Sequence, residues 1–215
     1  MAQKPNLSRE RRLQILEAAA VVISERGLCD TRIADVAERA GASAALIIYY
    51  FESKGRLLTE ALAHAEDRFY LDTFHELTAL ESATDQLIAL IEMACPDPDR
   101  EAALLGDWTL WIELWSRAMR DPEAGKRRAA LDRRWRWTIA DIVRSGQRSA
   151  EFAPVDADDF AVSLVGIMDG LALQVVLRDE EVSWERTRDL CLDFAARELG
   201  FERGSDRRRM QGTSA

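Results

Sequence analysis

Apolar residues recur at intervals of three and four along most of the chain, which is the pattern of helices that bury one face. The first helix is predicted from Ser8, a candidate N-cap, to Arg26, just before Gly27. Its apolar face is formed by Leu13, Leu16, Ala20 and Ile23. Because the alternating pattern of strands does not occur, the sequence predicts an all-α fold of about nine helices.

The other helices are separated by glycines, prolines and capping residues. They are predicted at about 33–40, 44–50, 54–77, 84–94, 101–119, 122–145, 157–178 and 184–199. Residues 201–215 are polar and are predicted to form a disordered tail. The three cysteines are dispersed, which favours free thiols in a reducing cytoplasm.

Charge is distributed unevenly along the chain. The net charge is −9, but residues 1–60 hold 9 basic and 8 acidic side chains, so the acidic excess lies in the rest of the chain. A local basic face is sufficient for contact with phosphates, so DNA binding stays compatible with this composition. The basic N-terminus lacks an apolar signal region, and residues 160–177 include Asp169. We therefore expect a cytoplasmic protein with no membrane segment.

Gly41 lies between two short predicted helices near the N-terminus. It can adopt the positive φ of a tight turn, and Ser43 can cap the second helix. This pattern predicts a helix-turn-helix whose second helix enters the major groove, although an ordinary helical hairpin has the same features. Tyr49, Tyr50 and Lys54 follow in the chain, and such side chains commonly contact phosphates. They favour the DNA-binding interpretation.

Residues 31–57 resemble the N-terminal motif of the TetR family of transcriptional regulators. The matching positions are Thr31, Val36, Ala37, Ala40, Gly41, Ala42, Ser43, Ile47, Tyr50, Phe51, Ser53, Lys54 and Leu57. The resemblance implies a three-helix helix-turn-helix DNA-binding domain in residues 1–53. It implies a helical effector-binding and dimerisation domain in residues 54–200, in a homodimer that closes through its last two helices.

The resemblance also implies which side chains contact double-stranded DNA. The implied residues are Ser43, Ala44, Ala45 and Leu46 in the major groove, Tyr49, Tyr50 and Lys54 on phosphates, and Thr31 and Arg32 on the DNA backbone. Ala44 and Ile48 replace hydrogen-bonding residues that are common in the family, so we expect thymine-methyl contacts and shape readout. A basic N-terminal segment is interpreted either as a DNA-binding arm or as a solvated tail; it contains Lys4, Arg9, Arg11 and Arg12.

Three tryptophans, Trp108, Trp111 and Trp115, share one face of the helix predicted at 101–119. Such a stripe is either core packing or the wall of an aromatic ligand pocket. Together with residues 164–171 it resembles the choline-responsive, BetI-like branch of the family. This favours a small-molecule effector, either an organic cation held by cation–π contact or an aromatic compound. The predicted effector-binding residues are Trp108, Trp111, Trp115, Trp135, Met168 and Asp169, with Glu113 or Asp169 as the counter-charge.

The segment 159–178 is apolar nearly all round, which indicates burial on both sides. It forms either a dimer interface or a helix buried within one protomer. The predicted interface residues are Gly166, Gly170, Leu171, Leu190 and Phe194. A dimer would present two reading helices to half-sites about 34–36 Å apart.

The sequence thus predicts a dimeric repressor that binds a palindromic operator and is released by an effector; an activator of the same fold is the alternative. A helical metal-dependent enzyme is a rival from another class, because Asp156, Asp158 and Asp159 form a small acidic cluster. That cluster precedes a helix, where capping explains it. His64 and His75 would lie about 16 Å apart on one helix, too far to share a metal. We expect no enzyme activity and no metal or cofactor.

Overall fold

The computed structural model of the chain describes residues 4–95 and 108–203, with side chains described from residue 8. These residues form nine helices and no strand. The helices are α1 (Lys4–Arg26), α2 (Ile33–Arg39), α3 (Ala44–Phe51), α4 (Lys54–Thr78), α5 (Ala83–Ala94), α6 (Trp108–Ala118), α7 (Pro122–Arg148), α8 (Ala157–Val176) and α9 (Trp184–Leu199). The predicted all-α class is confirmed.

Side-chain caps fix several helix starts. Ser43 Oγ accepts a hydrogen bond from the backbone N–H of Leu46 at 3.1 Å, which starts α3. Ser82 and Ser183 cap α5 and α9 in the same way, and Asp156 caps α8 by accepting from the backbones of Asp158 and Asp159. These caps satisfy N–H groups that have no partner within the helix. The acidic cluster at 156–159 is accordingly a helix start.

The predicted start of α1 at Ser8 is wrong, because the helix already begins at Lys4. Pro5 does not prevent this, since proline is tolerated in the first helical turn, where its missing N–H has no intrahelical acceptor. Arg9, Arg11 and Arg12 are therefore helical residues of α1 and not part of an extended arm. The side chain of Lys4 and the predicted tail from residue 204 lie outside the described residues.

The first of two compact units comprises residues 4–71 and 108–131. Its core is built from apolar residues of α1, α2, α3 and α4 together with α6 and the start of α7. The fully buried members include Ile15, Val36, Ile47, Phe51, Leu57 and Leu114. Consequently α6, which the sequence places in the effector domain, packs in the same unit as the helix-turn-helix.

The second unit comprises residues 72–95 and 132–203. Leu87, Ile91, Ile139, Leu164 and Cys191 are completely buried in it and join α5, α7, α8 and α9. The backbone N–H of Ala153 donates to the carbonyl of Leu199 at 2.8 Å, which ties the α7–α8 connection to the end of α9.

Within the described residues, α8 alone is long and apolar enough to cross a bilayer, as judged by length and composition. One of its faces is buried in the second unit through Phe160, Leu164 and Met168. Val162 on another face is 54% exposed. A partly exposed apolar helix of this kind is typical of a protein–protein interface as much as of a membrane segment.

Candidate DNA-binding and effector-binding surfaces

A tight turn joins α2 to α3. Gly41 adopts φ +56°, a left-handed conformation that favours glycine, and the Ala42 N–H donates to the Ala37 carbonyl at 2.9 Å. Val36 of α2 and Ile47 of α3 are both completely buried. The two helices are thus held at a fixed angle by a small apolar core, as a helix-turn-helix requires.

The opposite side of α3 faces solvent. Ala44 and Ala45 are exposed, Ile48 is 41% exposed and Tyr49 is 79% exposed. Leu46 is only half-buried, and the Ser43 hydroxyl is engaged in capping the helix. The surface available to DNA is therefore composed mainly of methyl groups and one phenol. Such a surface can form few bidentate hydrogen bonds with bases.

Thr31 does not lie on this surface. Its side chain is completely buried, and its hydroxyl donates to the carbonyl of Gly27 at 2.7 Å. The predicted contact between Thr31 and DNA is therefore corrected to a structural role in closing the α1–α2 loop. Arg32 is exposed at the start of α2, and its backbone N–H donates to Asp35 Oδ2 at 3.0 Å.

The predicted phosphate-binding residues have different environments. Tyr49 is highly exposed, whereas Tyr50 is half-buried and meets Tyr49 edge-on with ring centroids 5.5 Å apart. Lys54 donates from Nζ to the carbonyl of Cys29 at 3.2 Å. In the free protein Lys54 thus holds the α1–α2 loop against the start of α4.

Basic residues of α1 also contact the protein itself. Arg12 pairs with the carboxylate of Glu60, and its guanidinium lies 4.9 Å from the centroid of the Phe51 ring. Arg56 donates to the other Glu60 oxygen at 3.0 Å. Hydrogen bonds to Glu60, and then to Glu52, raise the pKa of Arg56 above its ordinary value. This network joins α1 to α4 around the end of α3.

The three tryptophans of α6 form one cluster in the first unit. The Trp108 ring centroid is 6.3 Å from that of Trp111 and 6.4 Å from that of Trp115. Arg128 of α7 places its guanidinium carbon 5.5 Å from the Trp115 centroid. Trp115 Nε1 is buried and has no hydrogen-bond partner among the described residues. One indole of the cluster, that of Trp115, therefore already attracts a cation within the protein.

Glu113, which the sequence offers as a counter-charge beside the tryptophans, has another partner. Its Oε1 accepts a hydrogen bond from the backbone N–H of Leu28 at 3.0 Å. It is two residues from both Trp111 and Trp115, and residues at that spacing do not share a helix face. Glu113 therefore faces the α1–α2 loop, on the opposite side of α6 from the tryptophans.

The remaining predicted effector residues belong to the second unit. Met168 is buried in its core, and Trp135 and Asp169 are half-buried. Trp137 of α7 is 59% exposed.

The predicted interface residues lie on α8 and α9. Gly166 and Gly170 are exposed, and a Cβ added to either would meet nothing within 4 Å. Leu190 is 41% exposed, Leu171 is half-buried, and Phe194 stacks on Phe160 with centroids 5.6 Å apart. The two glycines thus face open space in the protomer, where another backbone can approach closely.

Two family models match the chain. Residues 15–61 match that of bacterial regulatory proteins of the tetR family, and residues 83–200 match that of the C-terminal domain of BetI-type transcriptional repressors. The chain belongs to the TetR family. Its relatives include the HTH-type transcriptional regulator BetI of Cronobacter sakazakii, 28% identical over 88% of this chain and 91% of that protein. BetI of Escherichia coli K12 is 26% identical over 88% of this chain and 94% of its own length.

Solved structures of the TetR fold agree with this assignment. A protein from Saccharomonospora viridis, described as a transcriptional regulator and solved in complex with choline, is 32% identical. It matches with a TM-score of 0.81 over 91% of this chain and all of its own. A TetR-family protein from Rhodococcus sp. matches with a TM-score of 0.74 at 28% identity, over 89% of this chain and 99% of that one. This TetR-family chain is a BetI-like transcriptional regulator with a helix-turn-helix DNA-binding domain, and not an enzyme.

Proposed function

We propose that the chain acts in the cytoplasm as a homodimeric repressor that binds an inverted-repeat operator and releases it when a small organic cation binds. The observation that carries the proposal is the solvent-exposed face of α3. Ala44, Ala45, Ile48 and Tyr49 are exposed there, while Ile47 on the other face is completely buried. A short rigid helix with one free face has the geometry needed to enter a major groove.

DNA recognition would divide between two kinds of contact. The alanine methyl groups and Ile48 suit apolar contact with thymine methyl groups, whereas Tyr49 and Arg32 suit hydrogen bonds to phosphates. Lys54 is available to phosphates once it leaves the Cys29 carbonyl. Because so few side chains can read base edges, sequence-dependent DNA shape would supply part of the specificity.

Choline or a related quaternary ammonium compound is the effector class that we propose. The indole cluster of Trp108, Trp111 and Trp115 supplies cation–π surfaces, each worth on the order of 0.5–2 kcal/mol. The position of Arg128 over Trp115 supports this chemistry. The structural relative from Saccharomonospora viridis was solved with choline, which supports the same class.

Dimerisation is proposed through α8 and α9. Gly166 and Gly170 of α8 and Leu190 of α9 are exposed in the protomer, so a second copy can pack on these helices. Effector binding would favour a state in which the reading helices no longer match the operator spacing. The size of that shift equals the difference in effector affinity between the two states.

Operator selection tests the DNA-binding part of this proposal. Purified protein is mixed with fragmented genomic DNA, and bound fragments are sequenced. We expect an inverted repeat that Tyr49→Ala no longer retains, while Trp137→Leu, a change far from α3 in the chain, retains it. Recovery of only sequence-independent, salt-sensitive binding would contradict the proposal.

Calorimetry with choline and its neutral isostere 3,3-dimethylbutan-1-ol tests the effector part. We expect choline to bind and the neutral isostere not to bind. Choline affinity should fall by about tenfold or more in Trp111→Leu, because the variant lacks an indole face. Trp137→Leu is the matched control, since its indole is exposed. Equal binding of the neutral isostere would exclude cation–π recognition.

A transcriptional reporter placed behind the recovered operator determines the sign of regulation. Repression predicts low expression that rises on addition of choline. Expression that requires the protein would identify it as an activator, the alternative left open by the sequence.

A further inference from the structure

The two faces of α6 have different chemistry. One face carries Trp108, Trp111 and Trp115, whose rings contact one another. The opposite face carries Glu113, and Leu110 and Leu114 lie between the two faces, buried in the core shared with α1, α2 and α3. The width of one helix therefore separates the proposed effector surface from the surface that meets the α1–α2 loop.

Glu113 lies on the second of these faces and makes the polar contact there. Its Oε1 accepts the hydrogen bond from Leu28 N–H at 3.0 Å and lies 3.5 Å from the point where a Cβ on Gly27 would be. Gly27 has φ +78°, so its conformation favours glycine. A Cβ at position 27 would be in ordinary van der Waals contact with the carboxylate, which indicates that α6 packs against this loop.

Several hydrogen bonds hold the α1–α2 loop, and Glu113 supplies one of them from α6. Thr31 closes the loop locally through its bonds to the Gly27 carbonyl, and Lys54 of α4 binds the Cys29 carbonyl. The Leu28 N–H is part-buried and is satisfied by Glu113. Removing that acceptor would leave a partly desolvated donor unpaired.

The loop leads directly into the reading motif. α2 begins at Ile33, two residues after Thr31, and α2 is joined to α3 through Val36, Ile47 and the Ala42–Ala37 backbone bond. A shift of the loop is therefore passed on to α3 with little loss, because the helices are connected by a short rigid turn and a packed core.

We infer that Glu113 is a positioning residue that couples the tryptophan face of α6 to the reading helix by fixing the α1–α2 loop. This inference rests on the proposed function for its effector side. A cation on the tryptophan face displaces or rotates α6, and a movement of about 1 Å lengthens the Glu113–Leu28 bond beyond hydrogen-bonding range. The loop is then released, and operator affinity falls.

Four variants distinguish this role from others. Glu113→Leu removes the acceptor, Glu113→Asp withdraws it by one methylene, and Glu113→Gln keeps an oxygen acceptor without the charge. Glu123→Leu is the matched control, because Glu123 is an exposed carboxylate at the start of α7 in the same unit. Thermal melting identifies any variant that fails to fold. If Glu113→Leu does not fold, Glu113→Asp is used in its place.

Three quantities are measured on the full-length protein: amide hydrogen exchange of residues 27–32, operator affinity without effector, and choline affinity. In Glu113→Leu and Glu113→Asp we expect faster exchange in the loop and operator affinity lower by about three- to tenfold. Choline affinity should equal or exceed that of the unmodified protein, because the released state is already favoured. Glu113→Gln should resemble the unmodified protein, as should Glu123→Leu. Choline should also change the operator affinity of Glu113→Leu less than that of the unmodified protein.

Other outcomes overturn the inference. Loop exchange or operator affinity in Glu113→Leu equal to that of Glu123→Leu would mean that the bond does not position the reading helix. Loss of choline affinity in both Glu113→Leu and Glu113→Gln would make Glu113 a counter-charge for the ligand. If the unmodified protein does not bind choline, the effector proposal fails by itself, while loop exchange and operator affinity still decide whether Glu113 positions the loop.

Discussion

Glu151 accepts a hydrogen bond from the backbone N–H of Thr84 at 3.0 Å, so a carboxylate from the α7–α8 connection caps the start of α5. The same carboxylate accepts from the hydroxyls of Ser82 and Thr84 at 2.9 and 3.0 Å. A negative charge at a helix N-terminus is favoured by the unpaired N–H groups and the helix dipole. Glu151 therefore ties two distant segments of the second unit together.

This contact makes stability depend on pH. Hydrogen bonds lower the pKa of Glu151 from an ordinary 4.5 to about 2, and the bond from the Thr84 N–H makes the largest contribution. Because the folded-state pKa is lowered, the stabilisation is complete above pH 4.5 and is lost as pH falls toward 2. Denaturant unfolding should show Glu151→Gln less stable than the unmodified protein at pH 7, with a smaller difference at pH 3. Glu180→Gln, at an exposed loop position, serves as control; a difference that does not depend on pH would contradict the assignment.

Gly146 of α7 lies directly beneath the ring of Phe152. A Cβ at position 146 would overlap that ring, which is buried and also contacts Phe201 at a centroid distance of 5.7 Å. Alanine normally stabilises a helix interior relative to glycine by about 0.5–1 kcal/mol. We nevertheless expect Gly146→Ala to destabilise the protein by about 1–3 kcal/mol, because the core must shift. Chemical denaturation of Gly146→Ala and of the neighbouring Ser145→Ala decides this, and a stabilised Gly146→Ala would show that Phe152 moves freely.

Thr31 should affect stability without affecting the operator. Thr31→Val removes a buried hydroxyl and leaves the Gly27 carbonyl without that donor, which should cost about 1–3 kcal/mol of unfolding free energy. The backbone N–H of Thr31 still donates to the Gly27 carbonyl at 3.2 Å, which keeps the loop closed. Operator affinity, measured by fluorescence anisotropy well below the melting temperature, should therefore stay within about twofold. A large loss of affinity in a folded Thr31→Val would restore the family-based expectation that Thr31 contacts DNA.

Tyr49 should behave in the opposite way. Its side chain is 79% exposed, so Tyr49→Phe should leave the melting temperature unchanged. Loss of the hydroxyl should weaken operator binding by about three- to tenfold, as expected for one hydrogen bond to a phosphate. Unchanged affinity across several operator sequences would remove Tyr49 from the proposed DNA contacts.

Gly166 provides a test of the dimer surface. Because nothing lies within 4 Å of a Cβ at this position, Gly166→Leu should fold normally as a protomer. If α8 packs against a second copy there, the added side chain should dissociate the dimer and abolish high-affinity operator binding. Sedimentation velocity would report the change, with Ala129→Leu on an exposed turn of α7 as control. A dimeric Gly166→Leu with unchanged affinity would place the interface elsewhere.

Sequence patterns predict the helices well because the boundaries are chemically marked. Ser43 and Asp156 are recognisable as caps from residue type and position alone, and they start α3 and α8. Ser8 has the same chemistry but lies within α1, because a serine followed by helix-forming residues resembles a cap whether or not the helix extends further back.

The sites are less predictable because their partners are distant in the chain. The motif position of Thr31 does not reveal whether its hydroxyl faces solvent or the Gly27 carbonyl. Glu113 is an acidic residue beside tryptophans in sequence, which suggests a ligand contact. Its actual partner is a backbone N–H 85 residues away. Every residue type except proline has such a group, so the pattern of side chains cannot identify this partner.

The placement of tryptophans and Glu113 on opposite sides of α6 also limits how far a signal has to travel. The separation is one helix diameter, about 10 Å, and no relay of side chains across the second unit is needed. Substitutions among the tryptophans can then change which compound is sensed without altering the residues that meet the α1–α2 loop. A regulator built in this way can acquire new chemical specificity during evolution while its operator stays the same.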